Sequence, residues 1–132
     1  MNRLLQVLPG LIVAVLVPAA YAVPSATSQA EIAHLLQFVG ASGCEFYRNG
    51  SWYDAPKAQA HLQEKYELLA KGDRINTAED FIEQAATKSS LSGQPYQVRC
   101  GGGAPVTTNQ WLHAALAALR RNSSAPIQKA EP

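Results

Sequence analysis

A chain of 132 residues, 47% hydrophobic and 16% charged, suits one globular domain and bears no compositional mark of a disordered or fibrous protein. Eleven Lys and Arg against ten Asp and Glu leave a formal charge of +1. That balance excludes the broad positive field that a nucleic-acid backbone or an anionic lipid surface selects, so no nucleic-acid partner is expected.

Residues 1–22 have the three parts of a cleavable secretory signal peptide. Arg3 is the positive start, Leu4 to Val17 is an apolar run broken by Gln6, Pro9 and Gly10, and Ala20-Tyr21-Ala22 is a small-x-small cleavage site. The run is shorter than the ~20 apolar residues that span a bilayer, so no membrane span is expected after cleavage. The leader points to bacterial export, with the periplasm as destination and cleavage after Ala22. In that oxidising compartment Cys44 and Cys100, the two cysteines of the chain, are expected to form a disulfide.

Residues 23–27 read as a linker. Ser28, with Glu31 three residues on, has the spacing of a capping box, and Ile32, Leu35, Leu36 and Val39 follow as one apolar helical stripe, ended by Gly40 and Gly43. Asn49-Gly50 then marks a two-residue hairpin turn between Cys44–Arg48 and Ser51–Tyr53, because both turn positions need positive φ. A two-residue turn sets the register. Arg48 should face Ser51, Tyr47 should face Trp52, and Phe46 should face Tyr53. Alternation then puts Tyr47 and Trp52 on the face opposite Phe46, Arg48 and Tyr53.

Asp54 and Pro56 open a second helix carrying Ala58, Leu62, Tyr66 and Leu69, and Gly72 stops it. Thr77 caps a third, with Phe81, Ile82, Ala85 and Ala86 as its buried side. A loop from Ser89 to Pro95 leads to a strand, Tyr96–Cys100, with Tyr96, Val98 and Cys100 on one side and Gln97 and Arg99 on the other. After Gly101–Gly103, Thr108 is expected to cap a last helix built on Leu112, Ala115, Leu116 and Leu119, and residues 122–132 should be a flexible tail. The expectation is an α+β fold in which four helices pack on a small three-stranded antiparallel sheet, the hairpin plus one strand, with residues 28–121 as a single domain.

Several segments resemble one family. They are Phe46-Tyr47-Arg48-Asn49-Gly50, His61-Leu62, Lys65-Tyr66, Ala78-Glu79-Asp80-Phe81-Ile82, Ser89-Ser90-Leu91-Ser92-Gly93-Gln94-Pro95-Tyr96 and Trp111-Leu112. Their order is similar to that of the YfeK-like family of small exported bacterial proteins, a domain of unknown function (family 5329). The resemblance covers roughly residues 29–121. It implies a periplasmic location and brings no known activity, catalytic residue or cofactor.

For chemistry, Ser89, Ser90 and Ser92 share one loop that Gly93 could expose, but no nucleophile elbow or Ser-x-x-Lys pair accompanies them. Their plainer use is to cap the third helix and satisfy turn amides. Glu31-x-x-His34 and His61-x-x-Glu64 have helical spacing that can serve a di-metal centre, but such a centre also needs two further inward-facing carboxylates, and His34 falls opposite the Ile32, Leu35 and Leu36 stripe, toward water. No metal, no cofactor and no catalytic residue are therefore assigned. Tyr53-x-x-x-Lys57 and Gly101–Gly103 lack the nucleotide-binding context that would give them meaning. More promising is the sheet face of Tyr47, Trp52 and Arg99, since aromatics and Arg dominate recognition surfaces.

The leading expectation is a non-catalytic binding or envelope-maintenance module. It would recognise a periplasmic protein or a cell-wall saccharide through Tyr47, Arg48, Trp52 and Arg99, or through Ser89, Ser90, Ser92 and Gly93. One alternative is a small periplasmic hydrolase using a serine of the Ser89–Ser92 loop or His61. Another is a lysozyme-inhibitor-like protein, because Ser92-Gly93-Gln94-Pro95-Tyr96 matches the Ser-Gly-x-x-Tyr loop of such inhibitors.

Overall fold

The computed structural model describes residues 7–16 and 24–124. Residues 7–16 form no helix or strand, and the Ala20-Tyr21-Ala22 motif lies outside the described residues. Helix α1 (Ala26–Ala41) is followed by strands β1 (Glu45–Arg48) and β2 (Ser51–Asp54). Then come helices α2 (Ala55–Lys71) and α3 (Ala78–Ala85), strands β3 (Gln97–Arg99) and β4 (Val106–Thr107), and helix α4 (Thr108–Ser124). No helix among the described residues is long and apolar enough to cross a membrane.

Amphipathic stripes bring the helices together. Ile32, Leu35, Leu36 and Val39 of α1 are all buried, as are Phe81, Ile82 and Ala85 of α3 and Leu112 and Leu116 of α4. They meet Phe46 and Val98 from the inner face of the sheet in one core. The caps follow local chemistry. The Asp54 carboxylate accepts from Lys57 N at 2.9 Å at the start of α2. At α3, Thr77 and Asp80 complete a reciprocal capping box.

The hairpin has the register its turn dictates. Phe46 pairs with Tyr53, Tyr47 with Trp52 and Arg48 with Ser51. Asn49 and Gly50 both have positive φ, 48° and 89°. β3 lies antiparallel to β1, with Glu45 opposite Arg99 and Phe46 opposite Val98. One residue further, Cys44 and Cys100 sit opposite each other with Cα atoms 4.4 Å apart and are joined by the disulfide.

Three elements differ from the expectation. The sheet has four strands, in the order β2-β1-β3-β4, because Val106 and Thr107 pair with Val98 and Gln97. Helix α1 begins earlier, within the segment read as a linker. Ser25 caps it by accepting from Ser28 N at 3.1 Å, which makes Ser28 a helical residue. Helix α4 is capped by Thr107, whose hydroxyl accepts from Gln110 N at 3.2 Å. It runs through residues 122–124, which extends the helix into the segment expected as tail.

Candidate ligand pocket

The inner end of the hairpin and the exposed flank of α2 do not close on each other. Between them lies a cavity of about 330 Å³, with Phe46, Tyr53, Ala58 and Leu62 as apolar walls and Arg48, His61 and Tyr96 as polar lining. A smaller cavity of about 120 Å³ adjoins it, sharing Arg48, His61 and Tyr96 and adding Lys65, Ser89 and Ser90. The larger volume falls in the range of small-molecule sites, as does the combination of apolar walls with a few convergent polar groups.

Arg48 projects from the last residue of β1 on the inner face, where Tyr53 lies under its guanidinium at 5.3 Å. His61 and Lys65 are one turn apart on α2, on the side adjoining Ala58 and Leu62. Tyr96, just before β3, reaches them from across the sheet. These four side chains form a chain of hydrogen bonds. Arg48 Nη1 donates to His61 Nδ1 at 2.5 Å. Because a guanidinium has no acceptor, Nδ1 must accept, and the His61 proton sits on Nε2. Nε2 is 3.2 Å from Tyr96 Oη, to which it donates. Lys65 Nζ donates to the same oxygen at 3.2 Å and to the Lys88 carbonyl at 2.8 Å.

This environment disfavours extra charge. Burial, then the charges of Arg48 and Lys65, holds the His61 pKa below its ordinary value, with Glu64 opposing. Burial and Arg48 likewise lower Lys65, and burial pushes the Tyr96 phenol up. Two buried side-chain polar atoms among the described residues have no hydrogen-bond partner: Arg48 Nε and Thr108 Oγ1. Both residues line the larger cavity.

The residues singled out in the sequence divide between two surfaces. Arg48, Ser89 and Ser90 border the paired cavities. Tyr47, Trp52 and Arg99 share the opposite sheet face, where the Arg99 guanidinium stacks 3.8 Å above the Trp52 ring and pairs with Glu45. Tyr47 meets Trp52 edge-on at 5.4 Å between centroids.

The loop hydroxyls hold turns together. Ser89 Oγ accepts from Leu91 N and Ser92 N, and Ser92 Oγ donates to Asn49 Oδ1 at 2.6 Å while accepting from Gln94 N. Gly93 takes the positive φ, 71°, that the loop needs. Tyr96 is buried, so the Ser92–Tyr96 segment does not present its aromatic ring outward. The histidines are dispersed: His34 is exposed and His113 pairs with Glu83 at 2.8 Å. No group of three or more His, Cys, Asp or Glu suited to a metal occurs among the described residues.

Lys65, Tyr96 and Thr108 were not read as site residues from the sequence. The available signal was the spacing of Ala58, His61, Leu62 and Lys65, which puts a histidine and a lysine beside the buried stripe of one helix.

The profile of a family of unknown function, DUF5329, matches residues 26–120, and the chain belongs to that family. The family description carries no activity. The uncharacterized protein YfeK of Salmonella typhimurium is 43% identical over 51 residues. The match covers 39% of this chain and 41% of that protein. No solved structure matches.

Proposed function

We propose that this protein is a non-catalytic binding module of the bacterial envelope and that the cavity between the hairpin and α2 is its ligand site. The observation that carries the reading is the pair of orphaned polar atoms. A buried donor or acceptor without a partner costs about 1–3 kcal/mol, and native proteins keep few of them. Here both residues that carry them, Arg48 and Thr108, line one cavity, which concentrates the unsatisfied polarity of the fold beside it.

Binding is favoured over hydrolysis by how the candidate catalytic groups are engaged. A serine nucleophile needs a base within hydrogen-bond reach. Both His61 ring nitrogens bond to Arg48 and Tyr96, and the Ser89 and Ser92 hydroxyls bond within the loop and to Asn49. The periplasmic location rests on the leader read in residues 1–22.

The test is an amide NMR titration of the purified protein with soluble cell-wall saccharide and peptide fragments. Saturable shifts at Ala58, His61 and Thr108 are expected. Shifts centred on Trp52 and Arg99, with none at Ala58 or His61, would move the site to the outer sheet face and overturn the pocket assignment.

A further inference from the structure

The pocket holds more fixed positive charge than its surroundings neutralise. Arg48, Lys57 and Lys65 border the two cavities, with Glu64 as the one acid among the lining residues. No carboxylate among the described residues forms an ion pair with any of these three cations. Elsewhere Arg99 pairs with Glu45 and Arg120 with both Glu31 and Glu79, while Arg74 and Arg121, which form no ion pair among the described residues, are exposed to water. Lys57 is exposed, but Arg48 and Lys65 are half-buried, and half-buried cations left unpaired beside an open cavity call for an anion, because charge withdrawn from water is costly unless compensated.

The unused hydrogen-bonding capacity has the same sign. A guanidinium carries five donors, and Arg48 uses one of them on His61. Lys65 uses two of its three, on Lys88 and Tyr96. Tyr96 Oη already accepts twice, which leaves its own proton to donate. Arg48, Lys65 and the Tyr96 phenol thus all offer donors. A guest that only accepts, and is negatively charged, satisfies them all.

We infer that the pocket takes a small organic anion. Its oxyanion head group, a carboxylate or a phosphate monoester, lies against Arg48 and Lys65, and its apolar body lies along Phe46, Ala58 and Leu62. This inference rests on the pocket being the ligand site. It adds the chemical class, which selects against neutral sugars and cationic peptides.

The test uses three probes of similar shape in NMR titrations: 3-phenylpropionate, phenyl phosphate and the neutral 3-phenylpropionamide. At least one anion is expected to shift amides of residues 46–48 and 58–62 saturably, with affinity about tenfold or more above the amide, as charge-assisted bonds supply. The more effective anion identifies the head group. Lys65→Gln should weaken the anion and leave the amide unchanged. Arg48→Lys, which retains charge but not the planar fork, should weaken it as well, and an unchanged amide spectrum outside the site verifies folding. Equal affinity for the amide would overturn the anionic class while leaving the pocket as a ligand site. Absence of saturable shifts in the pocket with both anions would overturn the anion inference, and the cell-wall fragment titration then decides the pocket separately.

Discussion

Arg48 donates to His61 Nδ1 across the gap between β1 and α2, and this bond fixes the tautomer of the histidine while burial and the neighbouring cations disfavour its charged form. A protonated His61 would have two N–H groups and could no longer accept from Arg48, so the fold retains the neutral ring.

The pH dependence of stability follows in sign. In the unfolded chain a histidine takes up a proton below about pH 6.5, whereas in the fold burial, Arg48 and Lys65 hold the His61 pKa lower. The unfolded state therefore binds more protons in this window, and stability falls as pH drops through about 6.5. Glu31, Glu79 and Glu83, whose pKa values are lowered through bonds to Arg120 and His113, lose their contribution at more acid pH. Thermal melts between about pH 7.5 and 5.5 should show a decline that His61→Gln reduces. Equal slopes for the two proteins would mean that the ring is not held neutral.

Thr108→Val tests the orphaned hydroxyl. Thr108 Oγ1 is buried without a partner, so replacing it with a methyl group loses no hydrogen bond and removes a desolvated polar atom. Stability should stay level or rise by up to ~1 kcal/mol. A loss of more than ~1 kcal/mol would show that the hydroxyl has a partner within the fold.

The Cys44–Cys100 bridge closes a loop of 56 residues in sequence separation. Chain entropy gives such a crosslink ~4 kcal/mol, so the double variant Cys44→Ala/Cys100→Ala should melt at least ~10 °C lower. Thiol labelling of the denatured, unreduced protein should find no free thiol. An unchanged melt would mean that the sheet does not depend on the crosslink.

How legible the molecule was depends on the range of each signal. Asn49-Gly50 states its turn locally, and alternation then places every hairpin side chain, so Tyr47, Trp52 and Arg99 were assigned to one face correctly. β4 was not visible because Val106-Thr107 is too short for a period and follows Pro105 and three glycines. It exists through pairing with β3. The start of α1 was misplaced because Ser25 and Ser28 are both capping residues. Glu31, which looked like the partner of Ser28, instead accepts from Arg120 of α4 at 2.8 Å and 3.0 Å. The pocket was the least legible. Arg48, His61, Tyr96 and Thr108 come from four separate segments, and their shared orientation is a product of packing. The sequence singles out Arg48 as a binding candidate and His61 as a base for the hydrolase alternative, but carries no signal that places the two together.

An anion in the pocket is detected most directly through the pKa of His61, measured by imidazole NMR with and without the better of the two anionic probes. The groups facing the ring are Arg48 from β1, Glu64 and Lys65 from α2, and Tyr96 before β3, with Lys57 on the cavity rim. An anion seated on Arg48 and Lys65 offsets the two charges that help depress the ring, so its pKa must rise on binding. The His61 pKa should be low in the free protein, climb when the anion saturates the site and stay put with the neutral amide. A His61 pKa that is unmoved, or falls, while the anion is bound would contradict its seating on Arg48 and Lys65.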